Sequence, residues 1–115
     1  MISQTLSQEI SQLEADLCFA LADPTRILIL YALDEQVRNV GEITAELNIS
    51  QPTTSRHLKI LRDRGLVRAK RQGVSIQYEL SDRRLIQALD LLRSVLRDRI
   101  AYRANLMEEI QVQAD

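Results

Sequence analysis

Between Gln51 and Arg62 the chain carries amide, hydroxyl and guanidinium groups at helical spacing. With Leu58 and Leu61 turned inward, Pro52, Arg56 and Lys59 lie about 200° away on a helix that advances ~100° per residue. Gln51, Ser55 and Arg62 flank that outward face, and Thr54 turns inward with Leu58. These are groups that read base edges: Arg pairs bidentately with guanine, Gln with adenine, and Ser or Thr with several edges. The positive N-terminus of such a helix also favours a nearby phosphate. Downstream, Arg68 and Lys70 share one face of a strand, and Arg71-Gln72-Gly73 sit at a turn. A basic hairpin tip beside a base-reading helix suits contact with the DNA backbone or minor groove. A solvated basic face would explain the charge taken alone. It does not explain the helix spacing, the polar outward face and the hairpin together.

Catalysis has little support. Ser55 and His57 are two residues apart on a helix, so their side chains diverge and cannot form a nucleophile–base pair. No glycine-rich phosphate loop or HExxH motif is present, and the acid pairs Asp34-Glu35 and Glu108-Glu109 suit solvated element ends. The reading is therefore not an enzyme, with no cofactor.

The elements that must position these groups follow from periodicity. Leu6, Ile10, Leu13, Leu17 and Leu21 form one stripe of an amphipathic helix. Asp23-Pro24 suits an N-cap and first helical residue, followed by the apolar run Ile27–Leu33 as a short, mostly buried second helix. Asp34–Asn39 is polar and is expected as a connection. Val40, Ile43 and Leu47 mark a two-turn third helix ending near Asn48. Ser50 caps a fourth, with Pro52 tolerated in its first turn and Gly65 placed to end it. The period then changes: 66–71 and 75–80 flank Gln72-Gly73-Val74 as a small β-hairpin. Ser81 is the expected cap of the last helix, with Leu80 and Leu85 as a hydrophobic staple. That helix carries Leu85, Leu89, Leu92, Leu96, Ile100, Met107 and Ile110, with Arg103 interrupting the stripe. The fold class is mainly α with a small β-hairpin, ordered α-α-α-α-β-β-α: a winged helix-turn-helix. Residues 1–115 make one domain, with the helix-turn-helix at 40–64 and the wing at 66–80.

Composition fits this plan. At 115 residues the chain has room for one domain. Its net charge of -1 conceals a dipolar chain: residues 1–50 carry -6 and residues 51–84 carry +6. The longest apolar run is seven residues, far short of a membrane span, and the N-terminus lacks the basic and apolar regions of a signal peptide. A single cysteine fits a reducing cytoplasm. A last helix of roughly 42 Å exceeds what a small domain buries along its length. The helices at 1–21 and 82–110 are therefore expected to pack against a second copy, in a two-fold homodimer.

Ala-Leu-Ala-Asp-Pro-Thr-Arg (20–26), Ser-Gln-Pro-Thr-Thr-Ser-Arg-His-Leu-Lys-Ile-Leu-Arg-Asp-Arg-Gly-Leu-Val (50–67) and Arg-Gln-Gly-Val-Ser-Ile-Gln-Tyr-Glu-Leu (71–80) resemble the ArsR/SmtB family of bacterial winged-helix repressors. The resemblance runs from about residue 15 to residue 100. It implies a cytoplasmic homodimer, joined through its first and last helices, that represses transcription from an imperfect palindromic operator in double-stranded DNA. It places Gln51, Thr53, Ser55 and Arg56 at base edges, and His57 and Lys59 nearer the backbone.

The family's two familiar metal sites are not matched. Residues 40–47 contain no Cys, the last helix has no His, and the protein's one His is His57. A zinc or soft-metal site normally needs three or four N or S ligands, which Cys18 and its dimer mate cannot supply, so no metal is expected. Relatives that sense persulfides or oxidants use paired cysteines, whereas this chain has only Cys18, at the edge of the first stripe. Cys18 is expected mainly as a small buried residue behaving as a hydrophobe. A thiol or redox switch through it is the sharper alternative, with the small effector otherwise unidentified. A protein-interaction module built on the same fold is the reading from another class.

Overall fold

Helix starts are set by side chains that accept the orphan N–H groups of a first turn. The computed structural model describes residues 1–114. Ser3 Oγ accepts from the Leu6 N–H at 3.1 Å and opens α1, which runs over residues 4–21. Asp23 Oδ1 accepts from the N–H groups of Thr25 and Arg26 at 2.8 and 3.3 Å, opening α2 (Pro24–Glu35). A capping box of Asn39 and Glu42 opens α3 (Val40–Leu47). Ser50 Oγ accepts from the Thr53 N–H at 3.3 Å and opens α4 (Gln51–Asp63). Strands β1 (Val67–Gln72) and β2 (Ser75–Leu80) form the hairpin, and α5 spans Arg84–Ala114.

Two connections depend on left-handed backbone. Asn48, at φ 53°, ends α3 and turns the chain into α4, a conformation its short polar side chain tolerates. Gly65, at φ 80°, follows α4, with its N–H on the Arg62 carbonyl and the Leu66 N–H on the Leu61 carbonyl. This Schellman pattern satisfies the last carbonyls of the helix and directs the chain into β1.

The chain divides into two compact units, Met1–Arg83 and the last helix. In the first, Ile29, Leu30 and Leu33 of α2, Ile43 of α3, Leu58 and Leu61 of α4, and Leu66 and Val67 form the core. Each such side chain contributes about 1.5–3 kcal/mol by leaving water. The strands pair antiparallel from Val67↔Leu80 to Gln72↔Ser75, leaving Gly73-Val74 as the connection.

Several boundaries and placements differ from the sequence expectation. The stretch Asp34–Asn39 is not simply a polar connection, because α2 continues through Glu35 and Arg38 is buried. Arg38 pairs its backbone with Tyr78 of β2, and its Nε donates to the Ala32 carbonyl at 2.9 Å. Its Nη2 donates to Glu35 Oε2 at 2.8 Å. Ser81 donates its N–H to the Leu66 carbonyl and extends the base of the hairpin, while α5 begins three residues later. In α1 the regular stripe is broken by a π-helical turn, Glu14–Cys18, and Gln4–Leu13 buries none of its residues. The stripe residues Leu6, Ile10 and Leu13 are exposed, as are Leu92, Leu96, Ile100, Met107 and Ile110 of α5.

Candidate nucleic-acid interface

Helix α4 is anchored by its inward face. Thr54 is fully buried, its hydroxyl donating to the Ser50 carbonyl at 3.0 Å and accepting from the Thr44 hydroxyl at 2.9 Å. With Leu58 and Leu61 this fixes the rotation of α4 against α3. Gln51, Ser55, Arg56, Lys59 and Arg62 are consequently exposed along the other side. Thr53 is half-buried and accepts from the Ser50 hydroxyl at 2.8 Å. Lys59 Nζ donates to Asp63 Oδ2 at 3.0 Å, an exposed pair that a phosphate can displace at little cost.

His57 departs from the expectation that it lies near the DNA backbone. It is buried, with Nδ1 3.3 Å from Arg26 Nη1. The Arg26 Nε donates to the Ala20 carbonyl at 2.7 Å and its Nη2 to the Phe19 carbonyl at 3.2 Å. These carbonyls end α1, so Arg26 caps that helix while holding α4 through His57. An arginine can only donate, so His57 Nδ1 accepts and the proton of the neutral ring sits on Nε2. Burial pushes the imidazole below its usual range, Arg26 and Arg56 add to that, and Asp23 opposes it. Burial would raise the Asp23 carboxyl, but the N–H groups of Arg26 and Thr25 and the charges of His57 and Arg26 hold it below the usual carboxylate range.

The hairpin places Arg68, Lys70 and Gln72 on one face, opposite Glu79, Gln77 and Ser75. Arg71 and Ile76 point to the other face. The four sequence-selected hairpin residues are all exposed. Glu79 Oε1 lies 3.3 Å from Arg68 Nε and 3.1 Å from Lys70 Nζ. Arg64 turns away from the α4 face: its Nη1 donates to the Ala15 carbonyl at 2.7 Å, and its guanidinium lies 4.5 Å from the centre of the Phe19 ring. Arg83 pairs with Asp34 at 3.0 Å. Part of the +6 block is thus engaged by groups of the protein itself, in the case of Arg83 at the surface.

Nothing in the sequence around Arg26, Arg64 and Glu79 marks the contacts they make. Arg26 stood in the Asp-Pro-Thr-Arg motif, and Glu79 alternates with Tyr78 and Leu80, but nothing local shows what they meet. Cys18 is exposed within the π-helical turn, a correction to the expectation of a buried hydrophobe. Among the described residues no group of three or more His, Cys, Asp and Glu could hold a metal ion. No helix among them is long and apolar enough to cross a membrane.

Helices α3 and α4, the Asn48 turn and the β1–β2 hairpin define a winged helix-turn-helix protein. Residues 23–69 match the family described as "Bacterial regulatory protein, arsR family". The HTH-type transcriptional repressor SmtB of Mycobacterium tuberculosis is 41% identical over 78 residues, covering 68% of this chain and 58% of that protein. The chain thus matches less than two thirds of that relative's length. An uncharacterized HTH-type transcriptional regulator of the same species is 30% identical over 106 residues, covering 91% of this chain and 93% of its own. Among solved structures, the homodimeric winged helix-turn-helix DNA-binding domain from Mycobacterium bovis superposes with a TM-score of 0.74 at 26% identity. That match covers 88% of this chain and 93% of the other. The chain belongs to the ArsR family of bacterial regulatory proteins.

Proposed function

We propose that this chain is a sequence-specific double-stranded DNA-binding repressor, acting in the cytoplasm as a homodimer on an imperfect palindromic operator. One observation carries the reading: α4 buries Thr54, Leu58 and Leu61 while exposing Gln51, Ser55, Arg56 and Arg62 on one side. Those groups suit base edges in a major groove, with Thr53 and Lys59 beside them. Arg68, Lys70, Arg71 and Gln72 suit sequence-independent contact by the wing. The exposed apolar residues at 6–13 of α1 and 92–110 of α5 support pairing of these helices with a second copy. Membership of a regulator family, and the description of the M. bovis domain as homodimeric and DNA-binding, point the same way.

Binding to the duplex upstream of the protein's own gene tests the reading. A dimer neutralising ~6–10 phosphates should show log K falling against log salt with a slope of about -5 to -9. No binding to any duplex at about 50 mM salt would overturn it. Release by a thiol reaction is supported by the exposure of Cys18. DNA release under oxidant that is unchanged in Cys18→Ser would remove that route.

A further inference from the structure

We propose that Glu79 is the counter-anion of the wing, holding Arg68 and Lys70 in one array and setting the wing's sequence-independent affinity by competing with DNA phosphate. The inference rests on the DNA-binding reading above. Its basis is register and depth. Arg68 and Glu79 are cross-strand partners, and Lys70 lies two residues on from Arg68 on the same face. The Arg68 and Lys70 side chains are 60% and 70% exposed, whereas that of Glu79 is 22% exposed. The carboxylate therefore lies beneath two outward-facing cations.

Glu79 Oε1 is buried and has no hydrogen-bond partner of good geometry, so the two nearby cations are what compensates its charge. Cross-strand opposite charges hold long side chains in register. The same carboxylate lowers the local charge of this face from +2 to +1, counting Arg68, Lys70 and Glu79. The face opens on a cleft of about 500 Å³ whose lining includes Lys70, Arg71, Glu42 and Glu79, so a phosphate can reach Lys70. It does so against the field of Glu79. Phosphate contacts carry no sequence information, so this competition acts on every duplex alike.

The test is the salt dependence of binding to a random-sequence duplex, with folding followed by circular dichroism. Glu79→Gln keeps the shape and removes the charge. In a dimer its slope should steepen by about 2, an additional loss of roughly tenfold in affinity for a fourfold rise in salt. Binding at low salt should tighten. Gln77→Glu adds a second carboxylate opposite Lys70 and should act in the opposite direction, which keeps the idea testable if Glu79→Gln does not fold. In an Arg68→Gln/Lys70→Gln background the Glu79→Gln effect should shrink. A folded Glu79→Gln with an unchanged slope or weaker binding would overturn the inference while leaving the DNA-binding reading standing. Unchanged slopes in Gln77→Glu would overturn it too. Failure of the wild type to bind any duplex would overturn both.

Discussion

Arg26 Nη1 lies 3.3 Å from Nδ1 of His57, joining the start of α2 to the inward side of α4. The same guanidinium takes the Phe19 and Ala20 carbonyls that end α1. One side chain therefore fixes the exit of the first helix and the seat of α4. Any dimer formed through α1 would have its geometry relayed to α4 by this contact and by Arg64 on the Ala15 carbonyl.

Replacing Arg26 by Met should destabilise the fold by about 2–3 kcal/mol, since it leaves two carbonyls and a ring nitrogen without their charged donor. Arg26→Lys should recover only part of this, because a single ammonium cannot reproduce the planar fork. Urea unfolding of the three proteins measures both, and equal midpoints would refute the role.

His57 makes stability depend on pH in a defined window. Its native pKa is lowered, so between the unfolded value of about 6.5 and that lower native value the unfolded chain binds more protons. Stability is therefore full above about pH 6.5 and falls as the pH drops through this window. His57→Asn offers an uncharged acceptor near the Nδ1 position and should flatten that part of the curve. Thermal melts from pH 7.5 to 5 follow it, and a parallel slope in the variant would refute the assignment.

The fold was legible where local chemistry decides it. Asp23-Pro24, Ser50 and Gly65 mark helix ends through groups that act within a few residues, and the alternation Ile76, Tyr78, Leu80 marks a strand. What escaped depends on contacts across the chain. His57 sits one position from Arg56 and has a similar local setting, yet its side chain turns to a partner 31 residues away. Arg38 lies in a polar stretch but is buried by pairing with Tyr78. The π-helical turn shifts the phase of α1 after Leu13, which no stripe of leucines reveals. Charge sums had the same blindness, since they counted Arg64 and Arg83 as free bases although Arg64 turns to the Ala15 carbonyl and the exposed Arg83 pairs with Asp34.

Thr54→Val preserves volume but removes the hydroxyl shared by Thr44 and the Ser50 carbonyl. The loss should cost about 1–3 kcal/mol, because a polar group in this part-buried site loses its partner. The Thr44→Val/Thr54→Val pair should recover part of that cost. A double-mutant cycle in urea gives the coupling, and strict additivity would show that the two hydroxyls act independently.

The exposed apolar face of α5 predicts association. Wild type should sediment as a dimer at micromolar concentration, and Leu96→Glu, at a position 55% exposed in the single chain, should shift it to monomer while the helical circular dichroism persists. A wild type that sediments as a monomer would refute the pairing.

Arg56 and Arg71 separate reading from holding. Arg56 is exposed on α4, positioned by the buried Thr54, Leu58 and Leu61. An arginine there can make a bidentate contact with guanine, so Arg56→Ala should cost about 1–3 kcal/mol on the operator and relax preference at one position of each half-site. Arg71, on the hairpin next to its tip and facing away from Lys70, should matter to all duplexes alike. Arg71→Ala should weaken operator and random DNA by similar factors, with a salt slope shallower by about 1 per protomer. Competition binding with operator, single-position variants and random duplex distinguishes the two. A uniform loss in Arg56→Ala would move that residue from base reading to backbone contact.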